Sequence, residues 1–403
     1  NYPNTINIDN KPAGVSAEIT DDETSIASVE IEENSSGSFI RQSMENNTII
    51  EEYEYDISPS TPSEVDFTIY AEDESGNVET ASGTISFQDI SLSPGVSKST
   101  VNNSESFEVN GEASLLPYNN DVISDIEFWA SAGSNWQLLG TDSPSSGQFS
   151  LFTSLSNSGS YEIKTNTSNS DSIYGEASTF VDILLNVRDA SASQKNTGST
   201  HVDVDSSNQD INLSATVDDP SGTEVNSGNA VVTGPEGSQA NIDLLQNSGD
   251  LWYSGGHLNL ATAFGSELGT YTTVFTANAD NGLGSNVVER TFTVENISIS
   301  SSTDRENLSV GQSTGLSGNV ILEPFDTPVD SESLTVSPEG ENNFDLNVNN
   351  GDFSGQIDFF SPGNKTVGLD ITDSNGITGT NSTEIHVFNL SAEIMDATGD
   401  DGT

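Results

Sequence analysis

Three histidines are the side chains of this sequence best suited to acid–base chemistry, and they lie far apart, at His201, His257 and His386. A hydrolytic site needs a nucleophile, a base and an orienting group that converge in space. Ser313 stands in a Gly-x-Ser-x-Gly segment, Gly311-Gln312-Ser313-Thr314-Gly315, but no helical pattern follows it to form the strand–turn–helix that presents such a nucleophile. His386 alternates with Ile385 and Val387, which places it on the outer face of a strand. The sequence therefore predicts that the protein is not an enzyme.

Carboxylates are the abundant chemical groups, because Asp and Glu number 63 against 9 Lys and Arg. Calcium takes six to eight oxygen ligands, which acidic loops supply. The acidic loop residues that form candidate ligands are Asp21, Asp22, Asp73, Glu74, Asp218, Asp219, Asp280 and Asp373. None of them lies in a twelve-residue EF-hand loop, and turn formation alone explains the Asp-Gly hairpin tips. Calcium is the one cofactor that we expect, at one or more of these loops, and no organic cofactor is expected.

The charge balance restricts the partners and the setting of the chain. A formal net charge of −54 excludes a nucleic-acid surface, since phosphate contacts need clustered Lys and Arg. Repulsion among carboxylates destabilises a compact state in dilute buffer. At about 1 M salt the Debye length is about 3 Å, so surface carboxylates interact weakly. The composition favours an extreme halophile, with neutralisation by divalent cations or an ordinary acidic protein as alternatives.

Ten Asn-x-Ser/Thr sequons are candidate glycosylation sites. They begin at Asn34, Asn46, Asn102, Asn166, Asn212, Asn296, Asn307, Asn364, Asn381 and Asn389. A chain this rich in Asn, Ser and Thr yields such a number by chance, so the count itself is not evidence. Export to the cell surface would make some of them acceptors.

Four aromatic residues could form a sugar-stacking surface: Trp129, Trp136, Trp252 and Tyr253. Trp129 follows Phe128, and Tyr253 follows Trp252, so one member of each pair must face outward on a strand. Exposed aromatic residues suggest a binding site, but sandwich edges and domain joints expose aromatics as well. Glycans are therefore possible partners.

An internal repeat organises the chain. Gly147-Gln148-Phe149, Gly249-Asp250-Leu251 and Gly351-Asp352-Phe353 recur every 102 residues. Ile90-Ser91-Leu92, Ala190-Ser191-Ala192, Ile297-Ser298-Ile299 and Leu390-Ser391-Ala392 are interpreted as the starts of successive units. We predict Ig-like domains at residues 1–88, 89–188, 189–295 and 296–389 and a truncated fifth unit at 390–403, with no continuous sheet across a boundary.

Period-two alternation indicates that the units are all-β. Val65, Phe67, Ile69 and Ala71 alternate with polar residues, and Asp-, Asn- and Gly-rich turns follow, typical of hairpins. Units of about 100 residues with many short strands describe a β-sandwich of the immunoglobulin type. Gly159-Ser160-Tyr161 and Gly269-Thr270-Tyr271 fit the place of a tyrosine corner, whereas Gly363-Asn364-Lys365 does not carry a tyrosine there.

The chain resembles the tandem immunoglobulin-like repeats of prokaryotic surface proteins: adhesins, stalks and haloarchaeal surface-layer glycoproteins. The stretch from Ile126 through Gly140 to Tyr161, the Asp-x-x-Gly closing hairpins and the joint-like Asp9-Asn10-Lys11-Pro12 carry this resemblance. It implies a non-catalytic, extracellular structural module at the cell surface. A surface-layer or filament subunit is the leading expectation, an adhesin or stalk is the alternative, and a halovirus spike or fibre is a further one.

Expected partners are other copies of the chain or neighbouring surface proteins. No run of 18 apolar residues occurs, so membrane attachment would need an anchor outside this segment. The sequence shows no initiator Met and no signal peptide, so we expect it to be a mature or excised piece. Cysteine is absent, so each unit must depend on its hydrophobic core.

Overall fold

The structure, a computed structural model, describes residues 1–48, 52–122, 124–207, 209–218, 225–255, 257–330 and 332–389. Asp219 and the predicted fifth unit at 390–403 lie outside the described residues. The chain divides into two compact units between Leu185 and Asn186, and each is described by itself. Each unit contains two of the repeats.

The first unit is built from strands joined by hairpins and short loops. Its first repeat contains β1 (Thr5–Asn7), β2 (Ala13–Ala17), β3 (Ile26–Glu33), β4 (Ile40–Ser43), β5 (Glu45–Asn47), β6 (Glu52–Ile57), β7 (Ser63–Asp73) and the start of β8 (Val78–Val96). The second repeat continues with β9 (Thr100–Val101), β10 (Ser106–Leu116), β11 (Asn120–Asp121), β12 (Ile126–Ser131), β13 (Gln137–Asp142), β14 (Gln148–Ser154), β15 (Gly159–Ser168) and β16 (Tyr174–Ile183).

The second unit follows the same plan. Its third repeat contains β17 (Asn186–Gln194), β18 (His201–Asp203), β19 (Asp210–Asp218), β20 (Val225–Thr233), β21 (Gln239–Ser248), β22 (Leu251–Ser254), β23 (Leu258–Asn259), the short helix α1 (Leu260–Phe264), β24 (Gly269–Ala279) and the start of β25 (Val288–Thr303). The fourth contains β26 (Asn307–Ser309), β27 (Ser313–Glu323), β28 (Thr327–Pro328), β29 (Ser333–Pro338), β30 (Phe344–Asn347), β31 (Asp352–Asp358), β32 (Gly363–Thr372) and β33 (Thr378–Phe388). The predicted all-β fold class is confirmed.

Each repeat buries the apolar residues that alternate along its strands. In β15 the buried residues Tyr161, Ile163 and Thr165 alternate with partly exposed ones, as a strand with one face on a core requires. Separate hydrophobic clusters occupy the first, second and fourth repeats. Val232, Phe275 and other buried residues line the interior of the third. The repeats therefore have cores of their own.

The joints after the first and third repeats are continuous strands, which contradicts our expectation that no sheet crosses a boundary. In β8, residues up to Phe87 pair with β7, and residues from Asp89 onward pair with β10. In β25, residues up to Val294 pair with β24, and those from Asn296 onward pair with β27. No proline or glycine interrupts either joint, so the extended backbone runs through it and changes partners.

The third repeat begins at Asn186, three residues before the start at residue 189 that we predicted. Val187 and Arg188 already belong to the third repeat, because they pair with Val217 and Thr216 of β19. The apolar alternation runs without a break from Val181 through Ile183 and Leu185 to Val187. A pattern that does not change phase cannot show where a strand changes partners.

The residues Asp9-Asn10-Lys11-Pro12, which resemble an inter-domain joint, lie inside the first repeat. Ile8–Asn10 form a single 3-10 turn between β1 and β2, and the side chain of Asn7 caps it by accepting from the Asp9 N–H. This turn carries the chain from one sheet of the sandwich to the other.

In every repeat, a short strand near its start pairs in parallel with its last strand. Thr5–Asn7 lies beside Ser86–Gln88, and Thr100–Val101 lies beside Asp182–Ile183. His201–Asp203 and Asn307–Ser309 make the same pairing with β25 and β33. A strand near the start of each repeat thus runs beside the last strand and in the same direction.

Candidate functional site

Two predicted cation loops come together at one end of the first repeat. The Thr24 hydroxyl donates to the Asp21 carboxylate, and it also lies against Asp73. This contact and the Glu23 N–H, at 3.0 Å, hold the pKa of Asp21 below its ordinary value. Asp73 accepts from the side chain of Asn77 at 2.7 Å and from its N–H at 2.8 Å, which lowers the pKa of Asp73 too. Both carboxylates therefore stay ionised to unusually low pH.

The same hydrogen bonds have a structural role in the hairpin. Asp73 also accepts from the Ser75 N–H at 2.8 Å, so its carboxylate closes the turn between β7 and β8. Asp22 and Glu74 flank the pair and are exposed. Within the described ranges, no group of three or more His, Cys, Asp or Glu side chains is placed to hold a metal ion. Calcium binding at this end stays a prediction.

The other predicted ligands lie elsewhere. Asp218 accepts from Arg188 Nε at 2.6 Å and Nη2 at 2.9 Å, a two-point contact that lowers the pKa of Asp218. Asp373 accepts from the N–H groups of Asn375 and Ile377, at 2.9 and 2.8 Å, and so closes its own turn. Asp280 is exposed in a hairpin turn. These residues are not brought together with one another.

The three histidines do not form a common site. His201 Nδ1 lies 2.7 Å from Glu295 Oε2, and Glu295 is buried. His257 contacts Asn212 at 2.9 Å, and His386 contacts Asn364 at 2.5 Å. Each contact is between neighbouring strands of a single repeat, which is what cross-strand packing alone produces.

The ten sequons differ in accessibility. Exposed acceptors are Asn46, Asn102, Asn212, Asn307, Asn364 and Asn389, and half-buried ones are Asn34, Asn166, Asn296 and Asn381. The side-chain amide of Asn381 donates to the Ile299 carbonyl at 2.5 Å, and that of Asn102 donates to Glu105 at 2.9 Å. Each of these hydrogen bonds uses one of the two hydrogens on the amide nitrogen and leaves the other for a glycan. Glycosylation stays a prediction at all ten.

The aromatic residues divide as strand alternation requires. Phe128 and Trp252 are buried, whereas Trp129 is half-buried and Tyr253 is exposed. The ammonium of Lys164 lies 4.6 Å from the ring centre of Trp136, and Trp129 pairs with Lys164 across β12 and β15. An aromatic face therefore exists on the second repeat, and sugar binding by it stays a prediction.

The tyrosine-corner position is filled in two different ways. The Tyr271 hydroxyl donates to the Glu267 carbonyl at 2.9 Å, and burial raises the pKa of Tyr271 to about 12. In the fourth repeat Lys365 takes this place, is buried and donates to Ser361 Oγ at 2.9 Å. Both side chains bond four residues upstream, but Tyr271 donates to a backbone carbonyl, whereas the Lys365 ammonium donates to a side-chain hydroxyl.

Two features of the structure had no signal in the sequence. Asp203, which is buried, accepts from the N–H of Thr378 at 3.1 Å and from its hydroxyl at 2.6 Å, joining the third and fourth repeats. The first repeat has an open cleft of about 410 Å³ beside the end of β2, lined by Tyr2, Ile19, Phe67 and Ala81 among others.

No helix within the described residues is both long and apolar enough to span a bilayer.

Solved structures that are similar to the chain include two from adhesion proteins. No family model and no curated protein matches the chain. A tetra-tandem repeat in the extending region of a large adhesion protein is 17% identical, with 93% of this chain and 95% of that chain covered and a TM-score of 0.27. The Escherichia coli adhesin FdeC is 12% identical, with coverages of 75% and 97% and a TM-score of 0.32. Because both TM-scores are below 0.5, the proposals below rest on the chain's own geometry.

Proposed function

We propose that this chain is a non-catalytic, load-bearing spacer, the stalk region of an extracellular adhesin on a cell surface. The observation that carries the proposal is the pairing of each repeat's two ends. A pull on the chain would travel along strands such as β8 and β25 and slide the parallel end strands of each repeat past one another. Every hydrogen bond of such a ladder shares the load at once, instead of opening in sequence.

The joints within each unit fit the same role. The strands β8 and β25 enter the following repeat without a linker that could extend first. At the joint between the third and fourth repeats, the two hydrogen bonds from Thr378 to Asp203 add a lateral brace. A surface-layer or filament subunit stays a prediction, as do the halophilic, archaeal origin and the halovirus fibre.

Single-molecule force spectroscopy tests the proposal, with the chain held at its two ends. In the fourth repeat the Val310 N–H donates to the Phe388 carbonyl at 3.1 Å. Val310→Pro removes this donor, so one of the repeat unfolding events should move to clearly lower force. Val310→Ala keeps the N–H and serves as the matched control.

The result expected from Val310→Ala is an unfolding force close to that of the unchanged chain, because the ladder is intact. Equal forces for Val310→Pro and Val310→Ala would contradict load bearing by the parallel ladder. Biotinylation of intact cells by a membrane-impermeant reagent tests the location, and an unlabelled chain would contradict a surface position.

A further inference from the structure

The second repeat presents large apolar side chains on the outer face of the sheet formed by β13, β12, β15 and β16. Phe180 of β16 is 65% exposed, and Leu138 of β13 is 46% exposed. Trp129 of β12 pairs with Leu138 and is half-buried on the same side. We call the following set the aromatic face: Trp129, Trp136, Leu138, Tyr174 and Phe180.

The register of the strands places Trp129 and Phe180 on one surface. Trp129 lies opposite Lys164 of β15, and Lys164 lies opposite Ser178 of β16. Phe180 follows Ser178 by two residues, so it projects to the same side. With strands about 4.8 Å apart and alternate residues about 6.8 Å apart, the Cα atoms of Trp129 and Phe180 are separated by about 12 Å. The face is therefore broad enough for a ligand of several linked rings.

A polar network holds two of the rings in position. The ammonium of Lys164 lies 4.6 Å from the ring centre of Trp136. The same ammonium lies 2.8 Å from one carboxylate oxygen of Glu176. The other oxygen of Glu176 accepts from the Tyr174 hydroxyl at 2.5 Å. Because these rings are already fixed, a ligand that contacts them costs little additional side-chain entropy.

The other repeats show that the fold does not require aromatic residues here. The repeats align through the buried residue Tyr161, whose counterparts are Val65, Tyr271 and Lys365. The position of Trp129 then holds Glu32, Val231 and Ser337 in the first, third and fourth repeats. The position of Phe180 holds Thr84, Thr291 and Glu384. Three sandwiches thus form without either ring, which points to a use outside folding for Trp129 and Phe180.

Hydrogen-bonding groups lie between the rings of the aromatic face. Glu127 precedes Trp129 by two residues and accepts from its Nε1–H at 3.1 Å. Asn166 lies opposite Glu127 on one side and opposite Glu176 on the other. An apolar protein surface placed on this face would bury these groups without partners, which is costly. A ligand hydroxyl both donates and accepts, so a polyhydroxylated ligand can satisfy each of them.

The charges on the face select an uncharged ligand. Three carboxylates, of Glu127, Glu162 and Glu176, project to this side of the sheet with one ammonium, that of Lys164. Lys164 already contacts Trp136 and Glu176, so it is engaged within the face. An anionic ligand would meet like charge. A second copy of the chain, with a formal net charge of −54, would be repelled as well.

We propose that the aromatic face of the second repeat binds an uncharged oligosaccharide, with pyranose rings stacked on Trp129 and Phe180. The C–H hydrogens on the flat side of a pyranose ring carry partial positive charge, and the face of an aromatic ring carries partial negative charge. Hydroxyl groups at the edges of the sugar rings then reach Glu127 and Asn166. This adds an adhesive function to a stalk repeat, and it stands or falls separately from the spacer role.

Calorimetry and tryptophan fluorescence in molar NaCl test the proposal. At this salt concentration the Debye length is about 3 Å, so the net charge of the chain does not decide which probe binds. The probes are uncharged hexasaccharides of glucose, mannose, galactose and N-acetylglucosamine, with a hexasaccharide of galacturonate as the anionic comparison. The chain is produced without N-glycosylation, because Asn166 begins a sequon on this face.

The expected result is that at least one uncharged probe binds with a Kd of about 1 mM or lower. The galacturonate probe should bind more weakly. Binding should change the fluorescence of Trp129 and Trp136. The third tryptophan of the chain, Trp252, is buried in the third repeat and should not respond.

Two variants remove the stacking rings by introducing residues that other repeats carry at the same positions. Trp129→Val introduces the residue of the third repeat, and Phe180→Thr introduces that of the first and third. Both variants should therefore fold, which their melting temperatures check, and each should bind about tenfold more weakly or worse. Phe152→Thr is the matched control, because Phe152 is 71% exposed on β14 in the opposite sheet. This control should bind as the unchanged chain does.

Three results would overturn the proposal. They are no binding of any uncharged probe at concentrations up to about 10 mM, a loss of affinity in Phe180→Thr no larger than in Phe152→Thr, and tightest binding of the galacturonate probe. The force measurement on Val310→Pro is independent of all three, so a failure of sugar binding and a failure of load bearing are told apart.

Discussion

A single methyl group at Gly318 should destabilise the fourth repeat strongly. Gly318 lies in the middle of β27, between Ser301 on one side and Phe353 on the other. A Cβ atom there would lie 2.0 Å from the Ser300 carbonyl oxygen and 2.5 Å from the ring of Phe353. Both neighbours must move by about 1 Å or more to reach ordinary contact distances of about 3.5 Å.

The cost follows from what holds those neighbours in place. Phe353 is 3% exposed, and overpacking a core of this kind costs about 1–3 kcal/mol. Displacing β25 from β27 also weakens about two ladder hydrogen bonds, each contributing about 0.5–1.5 kcal/mol. Gly318→Ala should therefore lower the free energy of unfolding of the fourth repeat by about 2–6 kcal/mol, a large part of the 5–15 kcal/mol typical of a domain.

Native-state hydrogen exchange measures this loss in the repeat itself, through the protection of amides in β27 and β31. Gly368→Ala is the control, because its Cβ atom would lie 3.7 Å or more from its nearest neighbours. That variant should be neutral or slightly stabilising, since it reduces the entropy of the unfolded chain. Protection in Gly318→Ala within about 0.5 kcal/mol of the unchanged chain would refute the reasoning.

Three further predictions concern the corner, the charge and the cation loops. Tyr271→Phe removes the hydrogen bond to Glu267 and should lower the free energy of unfolding of the third repeat, measured in urea, by about 1 kcal/mol. Tyr253→Phe, at an exposed position, should change it little. Equal effects of the two variants would contradict a stabilising role for the Tyr271 hydrogen bond. Lowering NaCl from about 1 M to about 0.1 M lengthens the Debye length from about 3 to about 10 Å, so carboxylates repel one another more strongly and the melting temperature should fall. A melting temperature that does not change with NaCl concentration, in the absence of divalent ions, would contradict the halophile hypothesis. Calorimetry should detect calcium binding at millimolar concentration, and the double variant Asp21→Asn, Asp73→Asn should abolish it. Because the pKa values of both carboxyl groups are lowered, calcium binding should persist as the pH falls through the ordinary range of aspartate. The absence of binding heat at neutral pH would contradict this prediction.

Hairpins and inward-facing residues were the most predictable part of the fold. The alternation of Val65, Phe67 and Ile69 identified the buried face of β7, and Asp373 identified a turn that its own carboxylate closes. Such features depend on residues close in the chain, so local chemistry determines them. The candidate cation loops were predictable only as a set. That Asp21 meets Asp73, whereas Asp218 meets Arg188, depends on how distant loops pack.

By itself, the sequence determined an all-β chain of repeats near 100 residues, with acidic loops and few basic partners. Tertiary structure decided how the repeats join. A strand alternates in the same way whichever neighbour it pairs with, so the alternation around Val187 could not reveal where one repeat ends. The bond from Thr378 to Asp203 spans 175 positions, so no local pattern could reveal it. Strand pairing depends on backbone groups that every residue carries, so side-chain patterns specify the face of a strand but not its partner.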